Sequence, residues 1–157
     1  NDLVVRGRKG PLDLKKMGGV LVEPVSRGEA APLHVLGLGL NVNQQADELP
    51  RETNLPAQSL LLERGGEPVD RSLLCRRILG RLDRHYEQMI RTDGSGLLER
   101  WRELSCLLGR TVTVDSGGCR FQVHVADITG AGQLSVRTAD GRLLNLGDQQ
   151  ARVVLDT

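Results

Sequence analysis

Three stretches of the chain combine glycines with polar or charged residues at spacings that could serve chemistry. The first is Lys16-Met17-Gly18-Gly19-Val20-Leu21-Val22-Glu23. A lysine just before paired glycines and an apolar run stands where backbone can approach a ligand closely and an ammonium can meet an anion. A solvated lysine at a strand end has the same residue types, and the local sequence leaves both open. The second is Val35-Leu36-Gly37-Leu38-Gly39-Leu40-Asn41-Val42-Asn43. In a strand, Gly37, Gly39 and Asn41 fall on one face, and the glycines clear it of side chains. Something flat could pack there, with Asn41 offering a donor and an acceptor to a heterocycle. The pattern is not a dinucleotide fingerprint, since the third glycine and an immediate helix are missing. The third is Asn1-Asp2 at the head of a strand, residue types that also make ordinary turns.

The elements that must position these groups follow from hydrophobic patterning. Leu3 to Val5, Gly18 to Glu23 and Leu33 to Asn43 read as strands, the last two nearly continuous apolar runs. Ser26-Arg27-Gly28-Glu29 joins those two as a hairpin. The polar stretch from Gln44 to Gly66, with Pro50 and Pro56, reads as a loop with a short element. Leu73, Leu74, Ile78, Leu79, Leu82, Tyr86, Met89 and Ile90 recur at helical steps behind Asp70 as N-cap. Leu97, Leu98, Trp101 and Leu104 predict a shorter helix capped by Ser95. Beyond Gly109 the texture changes. Thr111–Val114, Phe121–Ile128, Leu134–Arg137, Leu143–Leu146 and Arg152–Val154 read as short strands between glycine-rich turns, which indicates a small barrel or sandwich. The chain thus divides into residues 1–108, mixed α and β, and residues 109–157, all β.

Bulk properties narrow the classes. The 157 residues carry a formal net charge of +1, with 39% hydrophobic and 26% charged residues, which describes a globular chain. Near-neutrality argues against a protein whose main task is gripping nucleic acid. A local basic cluster, Arg6, Arg8, Lys9, Lys15 and Lys16, remains near the start. Cys75, Cys106 and Cys119 are far apart and form no CxxC pair, so neither a metal knuckle nor a redox motif is indicated; reduced thiols of a cytoplasmic protein fit. No apolar run approaches the ~20 residues of a membrane span. Asn1-Asp2 runs straight into Leu3-Val4-Val5 with no initiating methionine, which reads as a chain entered within a domain.

In their order, these segments resemble the biotin protein ligase family. That family carries Lys-Trp-Pro-Asn-Asp, and Asn1-Asp2 matches its end. Lys16 to Glu23 matches its Lys-x-(Ala/Gly)-Gly-(Ile/Val)-Leu-(Val/Ile)-Glu, and Leu36 to Asn43 its (Val/Ile)-Gly-x-Gly-x-Asn-x-Asn. Leu49-Pro50, Ala57-Gln58-Ser59-Leu60, the helices ending near Trp101 and the tail with Ala126-Asp127-Ile128 are similar too. The resemblance implies an α+β fold: the second half of a catalytic domain akin to class II aminoacyl-tRNA synthetases, followed by a small SH3-like β-barrel.

It also implies an activity, the joining of biotin to ATP as biotinyl-5′-adenylate and the passing of biotin to one lysine of a biotin carboxyl carrier protein. By the resemblance, Lys16 is the catalytic cation and touches biotin; Asp2 lies where the acceptor lysine arrives. Gly19, Gly37 and Leu40 line the biotin pocket, while Asn1, Asn41 and Asn43 face ATP or the adenylate. Mg²⁺ accompanies ATP, with no metal ligand assigned in the chain. The partner is the carrier protein of acetyl-CoA carboxylase or a related enzyme, and homodimers occur in the family. Two departures stand out. Gly10 to Lys15 reads as an insertion, which leaves Lys9 as a rival to Lys16, although position relative to Gly19 favours Lys16. The family's Gly-Arg-Gly-Arg-x-Gly-Arg biotin loop is missing, so this chain alone is expected neither to form the adenylate nor to fold as well as a full domain. Two other readings stand beside this one. A bifunctional ligase and biotin-operon repressor would carry a DNA-binding helix-turn-helix outside this chain. A non-catalytic α/β module with an SH3-like interaction domain is the other; Phe121, the only aromatic residue of the β part, argues against RNA stacking there.

Overall fold

The computed structural model describes residues 1–7, 13–28, 30–51, 54–147 and 152–154. Arg8, Lys9 and residues 10–12 of the expected insertion lie outside them, so the rivalry of Lys9 is not addressed by geometry. The chain forms two compact units, Asn1–Cys75 and Arg76–Asp156.

In the first unit, β1 (Asp2–Arg6), β2 (Leu14–Arg27) and β3 (Ala30–Leu40) form an antiparallel sheet in the order β1-β2-β3. All three expected strands are present. β2 is far longer than its apolar run, since Lys15, Lys16 and Ser26 extend a ladder that β1 and β3 hydrogen-bond on either side. β3 ends at Leu40, short of the expected Asn43, because the backbone of Asn41 and Val42 turns to bond elsewhere: Leu60 N–H donates to Asn41 O at 3.1 Å and Leu61 N–H to Val42 O at 2.8 Å. These bonds open α1 (Leu60–Glu63), whose N-cap Ser59 accepts from Leu62 N–H and donates to Gln44 O at 2.8 Å. The buried apolar residues described here are few: Leu14, Leu49, Leu55 and Leu61. The hairpin of β2 and β3 is open to solvent on both faces. Leu21 and Val22, neighbours that point to opposite sides, are 56% and 51% exposed.

α2 (Arg71–Arg91) begins as expected, with Asp70 Oδ1 accepting from Leu73 N–H at 2.9 Å. The division into units falls inside it, ahead of the boundary at 108/109 read from the sequence.

In the second unit, α3 (Ser95–Leu104) differs from expectation at its start. Its N-cap is Gly94 with φ 77°, not Ser95, because the Asp93 carboxylate already folds the chain back by accepting from Ser95 N–H at 3.0 Å. The strands β4 (Thr111–Ser116), β5 (Cys119–Ile128), β6 (Leu134–Thr138), β7 (Leu143–Leu146) and β8 (Arg152–Val154) form an antiparallel sheet ordered β7-β6-β5-β4-β8. Val112, Val114, Val123, Val125 and Val136 form its buried core, with Leu107, Leu108, Phe121 and Leu134 packed against it. A register shift between Val125 and Asp127 reverses the alternation, so Ile128 is buried where strict period two would expose it. α3 is tied to this strand. The Arg102 guanidinium donates twice to the Asp127 carboxylate, at 2.7 and 3.0 Å, and once to Ile128 O at 2.8 Å.

Candidate functional site

The site begins with a defect in a ladder. Asp2 pairs with Gly19 and Leu3 with Gly18, but Val4 pairs with Lys16, so Met17 is an extra residue in β2. Strand side chains alternate, and Lys16 and Gly19, three apart, would ordinarily face opposite ways. The bulge at Met17 adds one residue and reverses that parity. Lys16 now shares the face of Val4, hence of Asp2 and Gly19. Its ammonium lies 2.7 Å from Asp2 Oδ1, with the two side chains 39% and 45% exposed.

The backbone freed by the bulge is used at once. Lys16 N–H donates to Pro56 O at 2.9 Å and Lys16 O accepts from Gln58 N–H at 2.8 Å, a parallel bridge centred on Ala57. Met17 O accepts from Asn41 N–H at 2.8 Å. The segment from Pro56 to Gln58 therefore braces the lysine from behind, so its side chain leaves a fixed backbone. Gln58 is itself held, its Nε2 donating to Glu63 Oε2 at 3.1 Å.

The floor is glycine. Gly19 pairs with Gly39 and Leu21 with Gly37, so Gly19, Gly37 and Gly39 share the face of Asp2 and Lys16. A methyl at Gly39 would meet nothing within 4 Å, and one at Gly37 only Leu21 O at 3.8 Å. Space rather than backbone crowding lies over them. An open groove of about 460 Å³ occupies it, lined by Asn1, Asp2, Lys16, Gly19, Leu21 and Gly37 among others. Gly18 differs: a methyl there would lie 2.1 Å from Gly39 O, inside the backbone of β3.

Of the sequence-derived site residues, Asn1, Asp2, Lys16, Gly19 and Gly37 thus surround one groove. Leu40 and Asn43 line a second concavity of about 260 Å³, with Val42, Gln44, Glu48 and Arg71. Leu40 projects from the opposite face of β3, as its even spacing from Leu38 and odd spacing from Gly39 require. Asn43 is occupied by structure: its Nδ2 donates to Val69 O and its Oδ1 accepts from Val69 N–H, both at 2.9 Å. Asn41 stands just past the strand end, its Nδ2 donating to Gln58 O at 3.0 Å. Gly39, which with Gly37 was expected to clear one strand face, lines the groove too; Leu21 joins it without having been singled out, though its spacing of two from Gly19 puts it on the same face. Among the described residues, no group of three or more His, Cys, Asp and Glu gathers as a metal site.

No protein-family profile matches the chain. Among curated proteins it is similar to the "Bifunctional ligase/repressor BirA" of Bacillus spizizenii, 26% identical over 141 residues, covering 90% of this chain and 41% of that protein. It is also similar to the "Biotin--[acetyl-CoA-carboxylase] ligase" of Mycobacterium tuberculosis, 32% identical over 135 residues, covering 85% of this chain and 44% of that one. The chain therefore spans less than half the length of these relatives. Among solved structures it resembles the biotin protein ligase of Aquifex aeolicus in its apo form, with a TM-score of 0.72 at 20% identity over 90% of this chain and 60% of that one. The same enzyme in complex with biotin and ATP gives a TM-score of 0.72 at 22% identity, over 90% of this chain and 57% of that one.

Proposed function

Since the chain is a relative of the biotin protein ligases in both sequence and fold, we propose that it supplies part of the catalytic machinery of such an enzyme. Residues 1–108 are its share of a catalytic domain akin to class II aminoacyl-tRNA synthetases, and residues 109–157 an SH3-like barrel. The one observation that carries the reading is the Lys16–Asp2 pair standing over a floor formed by Gly19, Gly37 and Gly39. Biotin is a flat bicyclic ring with an anionic tail. The floor suits the ring, and the ammonium suits the tail.

The proposed chemistry has two halves. The biotin carboxylate attacks the α-phosphorus of ATP; an O–P bond forms and pyrophosphate departs with the electrons of the broken P–O bond. Two anions must meet, and Lys16 lowers the cost by offering both a fixed positive charge. A lysine of the carrier protein then attacks the acyl carbon of the adenylate. The C–N bond forms, the acyl C–O bond breaks and AMP leaves with its electron pair. The two protons lost by the attacking ammonium pass to solvent, and Asp2 is a carboxylate at hand to accept the first. Asn41, whose Nδ2 is engaged with Gln58 O, keeps its Oδ1 to accept from the adenine amino group. Asn43 acts by bracing Val69 rather than by touching nucleotide. Mg²⁺ would accompany ATP and screen its phosphates.

The carrier protein of acetyl-CoA carboxylase or a related enzyme is the proposed acceptor, with the cytoplasm as the setting. Among the described residues no helix is long and apolar enough to cross a membrane. The test is biotin-dependent ATP–pyrophosphate exchange in the protein expressed from its native reading frame. Lys16→Ala is expected to lower adenylation about 100-fold or more with an unchanged circular dichroism spectrum. Near-normal turnover by that variant rules the role out.

A further inference from the structure

The Lys16–Asp2 ion pair poses a question that the two-step chemistry does not answer. Each partner has a task toward a ligand, yet the two lie 2.7 Å apart as an ion pair. Lys16 cannot give its full charge to an anion while Asp2 holds it, and Asp2 cannot receive an ammonium while Lys16 fills its place. Both side chains are more than a third exposed, so water weakens their attraction and a better-placed anion can displace the carboxylate. The backbone on the lysine side is fixed by the bonds to Pro56 and Gln58, and Asp2 is anchored opposite Gly19. An exchange of partners therefore requires only side-chain rotation.

We propose that this pair orders the two half-reactions: an anionic ligand that captures Lys16 releases Asp2, and only the released carboxylate recruits the cationic acceptor lysine. The inference rests on the ligase reading and adds to it a coupling between the sites. With Lys16 engaged by the adenylate phosphate, Asp2 is an uncompensated carboxylate at the edge of the groove, where an incoming ammonium replaces the lost partner. Without adenylate, an acceptor must compete with an ammonium already in place. The enzyme thereby holds off carrier protein until there is a biotinyl group to transfer.

Carrier affinity measured by calorimetry, with and without a non-hydrolysable biotinyl-adenylate analogue, tests this in the protein expressed from its native reading frame. The unsubstituted protein is expected to bind carrier about tenfold more tightly with the analogue present. Lys16→Met, which releases Asp2 permanently, is expected to bind carrier about tenfold more tightly with no analogue at all. Lys15→Met removes a neighbouring charge that has no part in the pair and is expected to change nothing. Asp2→Asn is expected to lower the KM for biotin about threefold in pyrophosphate exchange, while single-turnover transfer to carrier falls at least tenfold. A merely structural pair would weaken both half-reactions together. No gain in carrier affinity for Lys16→Met, an equal gain for Lys15→Met, or equal losses in exchange and transfer for Asp2→Asn would each overturn the coupling. If the unsubstituted protein lacks biotin-dependent exchange, the ligase reading itself fails, and the coupling with it.

Discussion

Gly18 and Gly39 are both small, both in the sheet and close together, yet they serve opposite purposes. A β-carbon at Gly18 would sit 2.1 Å from Gly39 O, so Gly18→Ala must push β3 away from β2. Overpacking of this kind costs about 3 kcal/mol or more when the obstacle is backbone rather than a flexible side chain. Gly39 has nothing within 4 Å of its virtual β-carbon. On the proposed ligase reading, Gly39→Val is therefore expected to leave the thermal midpoint nearly unchanged while abolishing biotin binding by filling the groove. Thermal melts and equilibrium dialysis on the two variants separate the roles, and a stable, non-binding Gly18→Ala would contradict them. Glycine content alone could not tell these positions apart; neighbouring backbone does.

At the scale of elements, two irregularities matter more than the regular ladders. The bulge at Met17 turns Lys16 toward Asp2, and one alanine inserted between Leu3 and Val4 gives Met17 a partner and restores strict alternation. Lys16, three positions from Gly19 in a regular ladder, then faces away from the groove. Such an insertion is expected to keep strand content by circular dichroism but lose adenylation as completely as Lys16→Ala does, whereas deletion of Met17 keeps Lys16 opposite Val4 and on the groove face. The second irregularity lies in β5, where the shifted register brings Asp127 to Arg102 of α3. A bond from Ile128 N–H, and then the Arg102 guanidinium, hold the Asp127 carboxyl below its ordinary value. A carboxylate so lowered adds stability above its unfolded value and loses it as pH falls through the lower, folded one. Acid below the ordinary carboxylate range is therefore expected to loosen α3 from β5. Trp101 reports this, since its ring lies against Gly132 in the β5–β6 turn. A fluorescence transition in that acid range, absent in Asp127→Asn, is the expected result; identical acid profiles for the two proteins would remove the tie from the account.

The whole molecule shows an uneven distribution of core. The five-strand sheet encloses a valine core in which Val125 and Val136 are fully buried. The three-strand sheet exposes large apolar side chains on both faces, among them Leu21, Val22, Val35 and Leu36. Contiguous apolar surface of this kind binds other apolar surface. The chain alone is expected to raise the fluorescence of a hydrophobic dye several-fold and to self-associate at micromolar concentrations. Changing the directly paired Val22 and Leu36 to Thr, on one face, should lower the dye signal only in part, because the other face remains. A monomer that binds no dye would mean that these faces are covered in solution.

Much of this was legible in the residues themselves. The three strands of the first sheet, the Asp70 cap, the long helix and the five short strands after Gly109 follow from periodicity and turn chemistry, because such local preferences act over a few neighbours. The resemblance drawn from Lys16–Glu23 and Leu36–Asn43 agrees with the relatives that the chain matches. Other features depended on distant segments. Asn41 falls on the glycine face if the strand runs on, yet β3 stops at Leu40 because the backbone around residue 60 claims the next carbonyls. Ser95 looks like a helix cap, but the carboxylate two residues before it had already formed the turn. Above all, parity along β2 sets Lys16 and Gly19 on opposite faces, and a single extra residue facing β1 brings them together. Residue types decided which groups could do the chemistry; strand register, which depends on what lies across the sheet, decided whether those groups meet.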